Sequence, residues 1–271
     1  MSEKGRMGRT VSLHPWVIIP TYNEASNIVD LVGCVRDAVP LATVLVVDDN
    51  SPDGTADLVE KLGVTDELVR VLRRPTKEGL GAAYRAGFDA ALGAGATAVV
   101  EIDADFSHDP KVIPELLDAL DGGAGLAIGS RYVAGGSSEG LTTVRLLISR
   151  LGNLYAAVML GLKVRDATAG FRAYDTEALR MIDLETVRAD GYGFQVEMAH
   201  LVAKLGFPIR EIPITFHDRR TGTSKMSAHI VVEAMLLCTV WGIARRVSWL
   251  QHGAREDRVI DGLERLVRRR S

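Results

Sequence analysis

Four times in the first 105 residues a short apolar run gives way to a polar loop and then to a helical pattern, and three of those runs end in carboxylates. "WVII" (16–19) is stopped by Pro20 and leads into "TYNE"; "TVLVV" (43–47) leads into "DDNSPDGT"; "TAVVEID" (97–103) leads into Asp105. Between the second and third of these stands "ELVRVLRRP", and "GLAIGSRYV" (125–133) adds a fifth run. Runs this short, bounded by turn residues, read as buried strands. Helical patterns follow near Glu24 or Ser26, from about Thr55, over 79–95 and in "DPKVIPELLDAL". Strands alternating with helices imply an α/β fold, a largely parallel sheet covered on both faces.

Beyond residue 135 the rhythm changes. "LTTVRLLISRLGNLYAAVMLGL" (141–162) and "GYGFQVEMAHLVAKLG" (191–206) read as helices, and "PIREIPITFHD" (208–218) reads as a strand. No linker separates two domains. With 271 residues, a net charge of −3 and a pI near 6.1, the chain gives no global case for nucleic-acid binding. Cys34 and Cys238 lie outside any metal spacing and predict free thiols in a reducing compartment. The first residues hold no apolar run, so no signal peptide is expected. The most apolar stretch, 230–244, contains Glu233 and falls short of a spanning helix.

Ligands of such sheets bind beyond the carboxyl ends of the strands. Glu24, Asp48–Asp49 and Asp103–Asp105 all fall there. In extended backbone, residues two apart point the same way, so Asp103 and Asp105 are placed to share one cation. Hard carboxylate oxygens suit Mg²⁺ or Mn²⁺, which complete their shells with substrate phosphates. An isolated D-x-D is more often a solvated loop; three acidic strand ends together favour a site. Arg131, Arg172, Arg219, Arg220 and Lys225 supply cations fit for a diphosphate. His108, beside the D-x-D, reads as loop packing rather than a base.

"PTYNE", "VVDDNSPDGT", "GLGAAYRAGF", "EIDADFSHDP", "GSRYV", "DATAGFRAY", "GFQVE" and "RRTGTSKM" occur in the order seen in family-2 glycosyltransferases. More narrowly, the chain resembles dolichol-phosphate and polyprenol-phosphate mannose synthases from about residue 15 to 228. The resemblance implies a GT-A fold, with a catalytic domain over 11–228; the arginine-rich pattern beyond it reads as a C-terminal amphipathic, basic helical segment over 229–271. It implies GDP-mannose as donor, a membrane polyprenyl phosphate as acceptor, Mg²⁺ or Mn²⁺ as cofactor, and inversion at the sugar. Pro20, Tyr22, Glu24, Val47 and Asp49 would hold the nucleoside, and Asp103, Ala104 and Asp105 would line the donor and metal site. Asp103, Asp105 and Arg131 would carry catalysis. Arg131, Arg219 and Lys225 would grip the diphosphate, with Arg172 and Arg131 orienting the acceptor phosphate. Ser107 stands where some relatives place a glutamine metal ligand, and a serine hydroxyl is a shorter, weaker ligand.

A glucosyltransferase using UDP-glucose belongs to the same resemblance. A phosphatase of the haloacid-dehalogenase type also uses D-x-D after an apolar strand, but its nucleophile follows the first strand and its acidic metal motif comes later. "GLGAAY" fails as a dinucleotide fingerprint, since it follows a charged loop; small residues there let a helix approach the sheet. A non-catalytic nucleotide-sugar sensor is the third class. A lipid acceptor predicts a peripheral enzyme on the cytoplasmic face of a membrane, docked through 141–162 and 230–250, with the net +4 of residues 245–271 at the headgroups. Some soluble relatives also need a membrane protein to tether them.

Overall fold

The computed structural model describes residues 14–187, 189–218 and 234–243. Seven strands form one sheet in the order β3-β2-β1-β4-β7-β5-β8: β1 (Pro15–Thr21), β2 (Thr43–Asp48), β3 (Val69–Arg73), β4 (Ala98–Glu101), β5 (Leu126–Ser130), β7 (Arg172–Asp175) and β8 (Ile209–Pro213). All neighbouring pairs run parallel except those of β7, which is antiparallel to both β4 and β5. Two short strands, β6 (Ser137–Glu139) and β9 (Thr215–His217), make a separate parallel ribbon.

Alternation along the strands builds two cores. Trp16, Ile18, Leu45, Val47 and Val99 point to one face, and Val17, Ile19, Val44, Val46 and Val100 to the other. The first face is covered by α3 (Leu80–Gly93) and α7 (Tyr192–Lys204), with the inner sides of α5 (Thr143–Leu160) and α8 (Ala234–Ile243). The second is covered by α1 (Ile28–Ala38), α2 (Thr55–Thr65) and α4 (Ile113–Asp121). The short α6 (Thr176–Arg180) follows β7, its first turn capped by Asp175. The doubly covered α/β sheet is the expected architecture.

Three details differ from the sequence reading. Strand β1 continues through Pro20 to Thr21, because the strand keeps its register with Val47 and Asp48 of β2 without that residue's N–H. The 208–218 stretch splits into β8 and β9, which join different sheets. Most unexpectedly, "RAYD" is a strand at the centre of the sheet and not part of a phosphate loop. The small residues of "GLGAAYRAGF" do bring α3 close to the sheet: a Cβ on Gly87 would collide with Ile18.

Candidate active site

The carboxyl ends of β1, β2 and β4 open into one cleft of about 300 Å³. Three non-glycine residues with left-handed backbone stand in the loops after these strands: Asn23 (φ 63°), Asn50 (φ 58°) and Phe106 (φ 59°). Asparagine tolerates this region; for phenylalanine it stores strain, and such residues gather at working sites.

The "DDNSPDGT" loop divides its acids between structure and cleft. Asp48 is buried and accepts hydrogen bonds from the Thr21 hydroxyl and from the N–H and hydroxyl of Ser51. Asp53 accepts from the N–H groups of Ala25 and Thr55 and from the Thr55 hydroxyl, stitching the β1 and β2 loops together. Only Asp49 lines the cleft, where Arg74 donates to it at 2.6 Å. Burial pushes the Asp49 carboxyl above its ordinary range, and Arg74 opposes the shift. Pro20, Tyr22 and Glu24 line the same end, with the Lys77 ammonium 3.8 Å from the centre of the Tyr22 ring.

Asp103, Ala104 and Asp105 form the floor. Tyr84, on α3, donates to Asp103 Oδ1 at 3.3 Å, and burial, then the Asp103 charge, raises the phenol so that it keeps its proton. Asp105 is held from behind: Ser107 donates to Asp105 Oδ1 through both its N–H and its hydroxyl. Ser107 is thereby corrected from metal ligand to brace, since it is buried, lies outside the cleft lining and directs its proton at Asp105. Among the described residues no group of three or more His, Cys, Asp or Glu side chains makes a metal cage. Two carboxylates on the floor of an open cleft nonetheless fit a hard divalent cation that takes its remaining oxygens from a diphosphate and water.

Below this floor lies a polar network that the sequence reading missed. Glu101 is fully buried at the end of β4 and accepts from the Tyr174 hydroxyl at 3.0 Å. Burial pushes its carboxyl up to about 8, against the opposing pull of Arg172. Arg172 stands 3.7 Å from it and is itself fully buried, donating to the carbonyls of Ala167, Ala169 and Gln195. Arg172 therefore does not grip a phosphate; its five donors are directed into the protein interior. Val47 is also corrected, its side chain lying in the core under α3.

A second depression, of about 100 Å³ and mostly apolar, runs between α5 and α8 and meets the cleft at Thr168 and Tyr192, which line both. Arg131 lines this groove and not the cleft. Asp166 holds its guanidinium in a two-point grip at 2.7 and 2.6 Å, over the Phe216 ring. Burial alone would lower the Arg131 pKa, but Asp166 more than offsets it, so the charge is permanent. Arg145 lies in the same groove and pairs with Asp218 at 3.2 Å. His108 is buried, stacked on Phe171 and edge-on to Phe216, and burial lowers its pKa to about 4. It is loop packing, as expected, with a neutral ring. Arg219, Arg220 and Lys225 lie outside the described residues.

Cleft residues that sequence reasoning passed over are Lys77, Thr168, Asp190, Tyr192 and Gln195. Asp190 accepts from the N–H of Gly81 at the start of α3, and a Cβ on Gly79 (φ 100°) would collide with its carboxylate. A glycine preceding a helix was the available signal for that close approach.

Residues 16–182 match the family model described as Glycosyl transferase family 2. The chain is 51% identical over 234 residues to the undecaprenyl-phosphate mannosyltransferase of Micrococcus luteus, covering 86% of this chain and 96% of that one. It is 48% identical over 233 residues to the polyprenol monophosphomannose synthase of Mycolicibacterium smegmatis, covering 86% and 88%. A solved structure of glucosyl-3-phosphoglycerate synthase from Mycobacterium tuberculosis, in complex with Mn²⁺, uridine diphosphate and phosphoglyceric acid, matches with a TM-score of 0.65 at 20% identity, covering 85% and 79%. That last likeness is one of fold, and it is GT-A-like. With a sheet ending in a carboxylate-floored cleft and a family match over most of its length, the chain belongs to glycosyl transferase family 2 and is a glycosyltransferase.

Proposed function

We propose that the enzyme transfers mannose from GDP-mannose to a membrane polyprenyl phosphate, with inversion and with a divalent cation at Asp103 and Asp105. The observation that carries this reading is the junction of two unlike depressions. A carboxylate-floored cleft fit for a nucleoside diphosphate sugar meets a more apolar groove at Thr168 and Tyr192, and Arg131 stands on the groove side of the seam. A lipid phosphate suits that arrangement, its head at Arg131 and Arg145 and its chain along α5 and α8. The mannosyl relatives support the donor sugar and the lipid acceptor.

In the reaction, an acceptor phosphate oxygen attacks the anomeric carbon and the bond from that carbon to the diphosphate oxygen breaks. The electron pair leaves with the nucleoside diphosphate. A phosphate monoester, with a second pKa of about 6, is already largely dianionic at neutral pH and needs no protein base. The neutral, buried His108 agrees with that. When bound, Mg²⁺ or Mn²⁺ would neutralise charge developing on the leaving diphosphate. Asp103 and Asp105 would hold it, Pro20, Tyr22, Glu24 and Asp49 would hold the nucleoside, and Arg131 would orient the acceptor phosphate. Arg219 and Lys225 are assigned to the diphosphate from the family pattern. Radiolabelled GDP-mannose and UDP-glucose, offered separately with polyprenyl phosphate and either cation, test the reading. Label in the organic extract from GDP-mannose alone is expected; label from UDP-glucose alone would replace mannose with glucose.

The acceptor places the enzyme at a membrane surface. Val144, Leu147, Ile148, Leu151, Leu154 and Val158 lie on one side of α5 and are 43–67% exposed, while Asn153, Ala156 and Leu160 face the protein. Leu236 and Val240 of α8 are similarly exposed, and Tyr155 and Thr239 hydrogen-bond between the two helices at 2.6 Å. By length and composition α5 is apolar enough to cross a membrane, with a mean hydropathy of 1.2. Its packed inner side instead suits a helix lying in the interface. The segment over 229–271 is assigned to the same surface. Leu151→Asp with Leu154→Asp is expected to lower liposome binding on the order of a hundredfold, since burying a whole leucine is worth about 1.5–3 kcal/mol and a little over half of each of these is still to be buried. Flotation checks it, and unchanged binding at both low and high salt would remove the docking face.

A further inference from the structure

At the seam, the hydrogen-bond network leaves the Thr168 hydroxyl able to act only as a donor. Asn153 is buried on α5, and its amide orientation is determined: Oδ1 accepts from the Thr168 N–H at 3.1 Å. Its Nδ2 must then be the atom facing the Thr168 hydroxyl, to which it donates at 3.0 Å, its other hydrogen going to the Ser149 carbonyl at 3.0 Å. Arg131 Nη2 donates to the same hydroxyl oxygen at 3.1 Å. A threonine oxygen has two lone pairs and one proton. Both lone pairs are engaged by these nitrogen donors, so the proton is the only hydrogen-bonding capacity left. Its one acceptor among the described residues is Asp166 Oδ1, at a long 3.4 Å, already held by Arg131 at 2.6 Å. Thr168 is partly exposed, and with Tyr192 it is one of two residues lining both depressions.

We infer that Thr168 is a contact residue for the acceptor, donating its hydroxyl proton to an anionic oxygen of the incoming phosphate, and that Asn153 is the positioning residue that enforces this polarity. The proton remains on Thr168, because the dianion needs orientation and not protonation. The inference rests on the proposed reaction and specifies which group beside Arg131 meets the nucleophile. It also gives the buried amide of an otherwise outward-apolar helix a role at the reacting centre.

The test compares wild type, Thr168→Val and Thr168→Ser by initial rates with polyprenyl phosphate, by calorimetric GDP-mannose binding with Mn²⁺, and by thermal melting. A hydrogen bond to a charged group contributes about 1.5–3 kcal/mol, so kcat/KM for the acceptor should fall roughly 10- to 150-fold in the valine variant. Serine should restore it to within a few-fold and keep the wild-type melting temperature; valine should melt somewhat lower, because Asn153 Nδ2 and Arg131 Nη2 lose their acceptor, and donor affinity should stay at the wild-type value in both. Valine transfer within threefold of wild type overturns the inference, as does an equal deficit in serine and valine, or a parallel loss of donor binding. A wild type that labels no lipid at all overturns the reaction itself, an outcome visible before any variant is compared.

Discussion

Asp105→Ala is expected to reduce sugar transfer on the order of a thousandfold while the protein remains folded. Metal and charge stabilisation of a leaving diphosphate is a matter of several kcal/mol, and about 4 kcal/mol is a factor of roughly a thousand in rate. Asp105 is only 7% exposed and braced by Ser107, so its carboxylate has little freedom to be replaced by a neighbour. Asp105→Asn separates charge from architecture. The amide oxygen still accepts from the Ser107 N–H, so the loop should keep its form, yet the anionic ligand is gone. Both variants should lose Mn²⁺-dependent donor binding by calorimetry and retain the wild-type circular dichroism spectrum. Near-wild-type turnover of either, with metal present, would remove the carboxylate pair from the chemistry.

Arg172→Ala should instead damage the fold. The guanidinium is fully buried and satisfies three carbonyls on two segments, the 167–169 turn and helix α7. Removing one partner of a buried charged network costs about 3–5 kcal/mol, because the remaining polar groups lose their donors without gaining water. For a chain of this size that is a fall in Tm of roughly 6–20 °C. Lysine cannot serve three acceptors in a plane, so Arg172→Lys should recover only part of the loss. A melting temperature unchanged in Arg172→Ala would mean that the network contributes little.

That contrast shows what the sequence made legible. The strand and helix alternation was readable because apolar runs and helical periods are local properties. Glu24, Asp49, Asp103 and Asp105 were readable because they end strands, Pro20, Tyr22 and Ala104 were reached through the family resemblance, and all seven line one cleft. Arg172 was misread because a basic residue among small polar ones looks solvated, and nothing local shows that a strand of four residues threads it into the centre of a sheet. Ser107 and Val47 were misplaced for the same reason: family pattern gives the neighbourhood, whereas the direction of a side chain is set by distant packing. Lys77 was passed over as one charge in "RRPTKE", since only the fold brings it over Tyr22. Thr168 acquires its polarity from Asn153, fifteen positions away in sequence, and from Arg131, thirty-seven away.

The reversed direction of β7 has a topological consequence. In a wholly parallel sheet the chain always arrives at the ligand-binding edge by leaving a strand. Because Arg172 pairs with Glu101 and Ile128, the beginning of β7 lies at that same edge, and the turn that precedes it is delivered there by entry. The 161–171 segment, which carries Asp166 for Arg131 and two of the carbonyls that hold Arg172, thus reaches the boundary between the two depressions on its way into a strand, so one antiparallel strand ties the groove side of the seam to the middle of the sheet.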